Sequence, residues 1–431
     1  MSKAVREAMV DFYRHAGKGA ASLAMLAMLS VTVPACAGGA DIEVFHYLAT
    51  RADAQRVAVL RDAVKSTGYE WKDFTVAQGW TGRGESMLRF RVQSQNAPTA
   101  AMMKTPFMHH WAASGALLPL DDVAATQRWD DLLPRAIADS VKYKGRYYAV
   151  PLTIHRVNWL WINERILKES GAAVPTTWDE FFVTAEAMKR KGYAAVAYYD
   201  RGTQNLLLFE MIAVGIGGPA FHRKALLEYD AAELAGPVME RVLRTYRRIK
   251  DYTEQPSDAR ISMERGNSKF ETGKVGMHLM GDWANPAFYP RDKAAPFSSL
   301  CVPAPGTDGS FLFTSDSIAM FRRPDAATSR GQGAFAAAIM SQAVQHGYSL
   351  RKGSIPARQG GNLDGYHGCA LKTAAAFRAA TLANTLLPAI SMTASREVED
   401  GIQNTVTEFW NDDRMSPQQA MTRLVAATRR R

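Results

Sequence analysis

Aromatic rings stand beside polar side chains at the ends of strand-like runs along this chain. The groups are His46-Tyr47, Gly79-Trp80, Lys104, Asn158-Trp159-Leu160-Trp161, Asp282-Trp283, Asp316 and Lys352. A polyol has apolar C–H faces that stack on rings and hydroxyls that pair with carboxylates, amides and ammonium groups. A concave site for such a molecule needs this mixture. Taken singly, each ring is better explained by core packing; only the recurrence favours a carbohydrate ligand. Acids are plentiful enough for a glycosidase pair, and two carboxylates close in space leave no fixed sequence spacing to read.

The elements that would position these groups are read from periodicity. Residues 42–48 alternate as a strand, and Val57, Leu60 and Val64 give residues 54–65 the spacing of a helix. A strand at 74–77, a helix at 87–95 and a strand at 99–104 complete a β-α-β-α-β order, which predicts an α/β lobe with a largely parallel sheet. Pro151 interrupts the run from Tyr147 to Thr153 ahead of a second run with Trp159 and Trp161. Because proline lacks the ladder donor, this reads either as a crossing between two lobes or as a bulged edge strand within one. Further on, Thr177 and Glu180 form a capping-box pattern for a helix over 178–191. Helices at 204–215 and 234–251, strands at 194–198 and 274–280, and a strand at 313–321 returning to the first lobe follow. The 431 residues exceed the usual single core, and no Ser/Gly/Pro-rich linker separates independent beads. Two lobes assembled from separated pieces of chain fit best, with ligand groups at strand ends where open α/β sheets bind.

Several chemistries are disfavoured. Gly79-Trp80-Thr81-Gly82-Arg83-Gly84 lacks both the dinucleotide spacing and the Walker ending, and no Gly-x-Ser-x-Gly elbow or His-Glu-x-x-His helix occurs. No CxxC or clustered Cys/His set supports a metal, and no cofactor is implied. The formal charge is +10, but Lys and Arg are interspersed with acids and no basic run carries aromatics, so nucleic acid is not an expected partner.

Lys3, Arg6, Arg14 and Lys18 precede a short apolar run at 20–33, and Ala35-Cys36-Ala37 and Gly38-Gly39-Ala40 offer small-residue cleavage sites. Residues 1–40 therefore read as an export signal, cleaved after about Ala37 or Ala40, with lipidation of Cys36 as the rival. No later run reads as long enough to cross a membrane. Export leaves Cys301 and Cys369, an even pair that invites one disulfide, with two buried free thiols as the alternative.

Over residues 41–428 the sequence resembles the periplasmic glucose/mannose-binding proteins of bacterial ABC sugar importers, within the extracellular solute-binding proteins. The similarity is densest in Tyr143-Lys144-Gly145, Val150-Pro151, the run from His155 to Asn163, Thr176–Phe182, Met280-Gly281-Asp282-Trp283-Ala284, Cys301–Gly309 and Lys352-Gly353-Ser354-Ile355-Pro356. It implies a type II clamshell of two hinge-linked α/β lobes. The N-terminal lobe takes residues 41–151 and 312–356, and the C-terminal lobe takes 152–311 and 357–431. A monosaccharide or small oligosaccharide would be held in the interlobe cleft of a monomer and delivered to an inner-membrane ABC permease, without catalysis. Carried over by position, the family's ligand groups fall on Asp53 (shortened from Glu), Lys104, Lys352, Asp316 and Trp283, and Tyr47 and Trp80 add faces peculiar to this chain. Three departures leave the sugar open. Tyr47-Leu48 replaces a Trp-Trp pair, Trp80 breaks a glycine run, and Pro388-Ala389-Ile390-Ser391-Met392 replaces Pro-Ser-Met-Ala-His. The alternatives are an extracellular glycoside hydrolase and a non-catalytic adhesion module.

Overall fold

The computed structural model describes residues 41–49, 53–76, 83–198, 202–253, 269–270, 272–284 and 298–429. The expected leader over 1–40, with Cys36, and the aromatic Trp80 lie outside the described residues. Strands β1 (Asp41–His46), β2 (Glu70–Thr75) and β3 (Ala100–Met103) open a larger sheet. A ribbon of β4 (Lys142–Tyr143) and β5 (Arg146–Tyr147) precedes β6 (Ala149–Arg156). Strands β7 (Trp159–Asn163), β8 (Ala194–Ala197), β9 (Val275–Leu279) and β10 (Ser299–Pro303) build a smaller sheet in the order β10-β7-β9-β8. Strands β11 (Phe311–Met320), β12 (Ile355–Pro356) and β13 (Leu386–Pro388) complete the larger one. Its order is β12-β6-β11-β3-β1-β2, with β13 beside β11.

Pro151 does not end its strand. All eight residues of β6 are buried, and the ladder with β11 passes from Ser317–Pro151 to Asp316–Thr153, skipping Leu152. The proline is tolerated at this bulge, so β6 stays whole in the larger sheet and the chain crosses at Val157–Asn158. The larger sheet is also more mixed than the β-α order predicted. β1 pairs in parallel with β2 and β3, but β11 is antiparallel to both β3 and β6 because it re-enters from the smaller lobe. The half-exposed β2 edge begins at Glu70, earlier than expected, since an edge strand lacks the apolar alternation that marks a buried one.

The main helices are α1 (Ala54–Lys65), α2 (Arg83–Gln93), α3 (Thr105–Ala113), α4 (Trp178–Arg190), α5 (Gly202–His222), α6 (Pro237–Ile249), α7 (Ala326–Ile339), α8 (Gln342–Lys352), α9 (Gly368–Leu382), α10 (Ile390–Thr393), α11 (Arg396–Asn411) and α12 (Pro417–Thr428). Thr177 and Glu180 make the capping box of α4. Met239, Val242, Leu243, Tyr246 and Ile249 put one stripe of α6 into the core at helical spacing. The segment Gly202–Leu227 is long and apolar enough to cross a membrane, contrary to the sequence reading. It serves here as a core helix: it is kinked at Gly218, and it carries the buried polar pair Glu210 and His222.

Two apolar cores follow the two sheets. Phe45, Trp111, Trp129, Phe321 and Phe335 belong to the larger lobe, and Phe181, Phe209, Tyr246, Phe409 and Trp410 to the smaller. The divisions expected at 151/152 and 356/357 fall inside the larger lobe, because β6 continues to Arg156 and Ala370, Phe377 and Ala380 of α9 pack into its core. Between the lobes, the buried Asn158 amide binds the crossing segments together. Its Nδ2 donates to Thr307 Oγ1 (2.9 Å) and the Ser310 carbonyl (3.1 Å), and its Oδ1 accepts from Leu312 N (3.0 Å) and Arg156 Nε (3.3 Å).

Cys301 of β10 and Cys369 at the start of α9 are disulfide-bonded, which ties the smaller sheet to a helix packed on the larger one. Replacing both by alanine is expected to lower stability by about 2–5 kcal/mol. Urea unfolding of the oxidised and double-variant proteins measures this; equal midpoints would contradict it.

Candidate functional site

The sequence-expected residues assemble largely at one place, around Asp316. Its position on β11 opposite Thr153 puts it beside the bulge, where the strand can turn a side chain toward the lobe interface. Tyr47, the first residue past β1, donates its hydroxyl to Asp316 Oδ1 at 2.6 Å. Lys352 ends α8, where Gly353 adopts φ 80° and stops the helix, and its Nζ lies 3.7 Å from Asp316 Oδ2 and 5.7 Å from the Tyr47 ring centre. A hydroxyl network holds that helix end against β6. Ser349 Oγ donates to Thr153 Oγ1 at 3.0 Å, Thr153 donates to the Ile355 carbonyl at 2.9 Å, and Ser354 Oγ is in contact with Thr153 Oγ1. Lys104 leaves β3 one residue beyond Met103, which pairs with Ser317, so it enters the site next to Asp316. It stands at the N-terminus of α3, half-buried; register places it near Asp316, but among the described residues its ammonium pairs with neither Asp316 nor any other carboxylate.

From the smaller lobe, Asp282 and Trp283 occupy a helical turn after β9. Asp282 is buried and doubly held, accepting from Arg156 N at 2.8 Å and lying 2.7 Å from His155 Nδ1. The Trp283 ring meets the His155 ring edge-on, centres 5.5 Å apart. His155 reaches the other way too, with Nε2 3.6 Å from Asp316 Oδ2. The site is therefore one chain of contacts, Tyr47–Asp316–His155–Asp282, with Lys352 and Trp283 on its flanks.

The charges follow from this packing. Burial opposes ionisation of Asp316, but Lys352, His155 and the Tyr47 hydroxyl hold its carboxyl well below the usual carboxylate range. Burial also opposes a proton on His155, and the two aspartates outweigh it, so its pKa is raised. Burial raises Asp282 against the pull of His155. Burial and the charge of Asp316 push Tyr47 far up, which keeps it a neutral donor.

One expected residue, Asp53, and two of the family departures, Leu48 and Met392, sit outside this cluster. Asp53 is buried before α1, and Arg56 in the first turn of that helix holds its Oδ1; Arg56 in turn donates to the Arg351 carbonyl at 3.2 Å. Its carboxylate thus braces the end of α8 behind Lys352. Leu48 is core, 4% exposed, and its N–H donates to His46 Nδ1. Met392 of α10 is buried as well, and its Sδ accepts from Ser315 N at 3.4 Å. Sequence reasoning grouped Asp282 with Trp283 without giving it a role of its own, and it missed His155 in this cluster. The signal for Asp282 was its place beside Trp283 after a strand. His155 lay inside a fully buried strand and had none.

These features define a two-lobed α/β protein with a buried charged cluster joining groups from both lobes. Residues 60–365 match the family of bacterial extracellular solute-binding proteins, and the chain belongs to that family. It is 31% identical over 405 residues to a probable sugar-binding periplasmic protein of Rhizobium meliloti, covering 93% of this chain and 97% of that one. Its match to a protein of the same description in Brucella suis is also 31%, over 96% of this chain and 97% of that one. Among solved structures, a chitin oligosaccharide binding protein aligns with a TM-score of 0.78 at 18% identity, covering 90% of this chain and 98% of the other. A solute receptor described as preferring β-D-galactopyranose aligns with a TM-score of 0.76 at 16% identity, covering 91% and 99%. Fold and family are those of non-catalytic periplasmic solute-binding proteins.

Gly281 lets the Trp283 ring lie over the backbone, since a Cβ there would meet the ring at 2.2 Å. Gly281→Ala is expected to displace the ring and cost about 1–3 kcal/mol. Near-UV circular dichroism and urea unfolding read both effects; an unchanged aromatic spectrum would contradict the placement.

Proposed function

We propose that the chain captures a sugar, a monosaccharide or small oligosaccharide, between its lobes and delivers it to an ABC permease in the inner membrane. One observation carries the reading. Asp316 Oδ2 is buried and accepts no hydrogen bond, although Lys352 and His155 both stand 3.6–3.7 Å from it. A ligand hydroxyl suits such an atom: it donates to the carboxylate and accepts from the ammonium, and an unmet buried acceptor otherwise carries a cost of about 1–3 kcal/mol. Trp283 from the smaller lobe offers the apolar face, and Tyr47, Lys104 and Lys352 offer polar edges from the larger. Trp80 is proposed as a further face and Asp53 as a brace for Lys352. The sugar-binding descriptions of the Rhizobium and Brucella relatives support the ligand class.

The kind of sugar follows less directly. A glucose site built on a ring at residue 48 and an imidazole at 392 is not reproduced, because Leu48 and Met392 are both packed into the protein interior. We infer that selectivity rests on Trp283, Tyr47 and the Asp316 cluster.

Titration calorimetry with D-glucose, D-mannose, D-galactose, D-xylose and maltose tests the reading. At least one sugar is expected to bind one to one and be recovered unchanged. Trp283→Ala and Asp316→Ala are each expected to weaken it by about 1–3 kcal/mol. Sugar turnover, or binding indifferent to both substitutions, would overturn the assignment.

A further inference from the structure

We propose that His155 acts as a protonated clasp between the lobes, so that closure on a ligand is linked to holding a proton on this imidazole. The inference deepens the sugar-capture reading and rests on it only for the ligand arm of the test. His155 is 3% exposed and lies on β6, two residues before the Val157–Asn158 crossing. It faces one carboxylate from each lobe: Asp282, after β9 of the smaller sheet, at Nδ1, and Asp316, on β11 of the larger, at Nε2. A neutral imidazole has a single N–H. If Nδ1 donates to Asp282, the Nε2 lone pair faces the Asp316 carboxylate and repels it. The imidazolium presents an N–H to each carboxylate, hydrogen-bonding Asp282 Oδ1 at 2.7 Å and facing Asp316 Oδ2 as an ion pair at 3.6 Å.

The surrounding charges favour the same state. Lys352 approaches Asp316 Oδ2 from α8, and Tyr47 donates to Oδ1 from the end of β1. Tyr348 and Tyr366 contribute neutral hydroxyls near Asp316 and Asp282. Arg156, next in the chain, turns its guanidinium onto the Trp159 ring at 4.2 Å, and Trp283 presents a ring edge. With His155 protonated, it and Lys352 balance Asp282 and Asp316. With His155 neutral, Lys352 alone pairs with the two carboxylates, and the Arg156 cation that also interacts with Asp282 is turned onto Trp159, so the negative charge is less well compensated away from water.

The sign follows from where the carboxylates sit. Moving the smaller lobe away carries Asp282 from Asp316, so the closed form binds the proton more tightly than the open form. Affinity is therefore full at low pH and falls as pH rises through the raised pKa of His155, whose ordinary value is 6.5.

The test has two arms on the mature protein. In the first, histidine labelled with 13C at Cε1 is titrated by NMR from about pH 5 to 9, with the His155 signal identified by its loss in His155→Gln. It is expected to titrate above the ordinary value, and to move down in Asp282→Asn, which keeps the shape and removes one charge. In the second, the tightest binder among D-glucose, D-mannose, D-galactose, D-xylose and maltose is titrated at several pH values in buffers of different ionisation enthalpy. Kd is expected to rise roughly tenfold or more toward alkaline pH, with proton uptake on binding. Both effects should vanish in His155→Gln, whose folding is checked by circular dichroism. A His155 that titrates at or below the ordinary value, or the same pH profile with and without it, overturns the clasp. If no sugar binds, the sugar reading fails and the NMR arm decides the clasp alone.

Discussion

The whole arrangement depends on the buried amide of Asn158. Two crossing segments, residues 157–158 and 304–312, would otherwise bring unpaired backbone groups into an interior without water. One side chain with two donors and an acceptor serves three elements at once, and Val157 N adds a bond to the Leu312 carbonyl at 2.8 Å. A partly satisfied buried network costs more than an apolar one, so this crossing has one well-defined geometry. The third connection, through β13, is bonded at both ends of a short stretch by Phe311 N to the Thr385 carbonyl and Ala389 N to the Phe313 carbonyl. The lobes thus meet at hydrogen-bonded crossings, and the cluster around Asp316 lies beside them.

The charges of that cluster are buried but partnered. Each ion carries a desolvation cost of several kcal/mol, which only well-placed partners offset. Asp316 has Tyr47, Lys352 and His155 within reach, and Asp282 has His155 and the Arg156 amide. Truncating one member leaves another charge unpaired, so these residues act as a unit. Arg156 illustrates the limit: burial lowers its pKa to about 10, yet it remains a cation at neutral pH because it rests on Trp159 and Phe311 and bonds Ser310.

Much of this was legible in the sequence, for identifiable reasons. Capping chemistry is local, so Thr177 and Glu180 marked α4 at its true start. Lys352 and Trp283 could be placed from sequence because each stands at the end of an element within a dense match, Lys352 at the end of α8 and Trp283 just after β9. What failed was non-local. Pro151 looked like a break because a bulge that absorbs a proline is set by the partner strand, here at Asp316 and Ser317. The antiparallel entry of β11 depends on the chain's path through the other lobe. The pairing of Asp53 with Arg56 was likewise not visible in sequence, since nothing there shows that Arg56 turns back onto it. His155 carries no local mark at all; its meaning comes from two carboxylates 127 and 161 residues further along the chain.

The ion pair between Arg396 and Glu85 is too weak to set the relative position of the lobes alone. Arg396 of α11 reaches Glu85 of α2 across the interface at 3.8 Å, while it also pairs with Asp400 at 2.7 Å and Glu85 pairs with Arg89. An ion pair this loose and partly solvated contributes about 0–1 kcal/mol and is screened by salt. Moving a two-state equilibrium from mostly open to mostly closed takes about 5.5 kcal/mol of differential affinity. The ligand must supply most of that difference, through groups it touches only when both lobes face it. Trp283 and Asp282 on one side and Asp316, Tyr47 and Lys352 on the other are the set placed to provide it. In the proposed clasp His155 joins the two halves of that set, so solute recognition and lobe contact would draw on the same atoms.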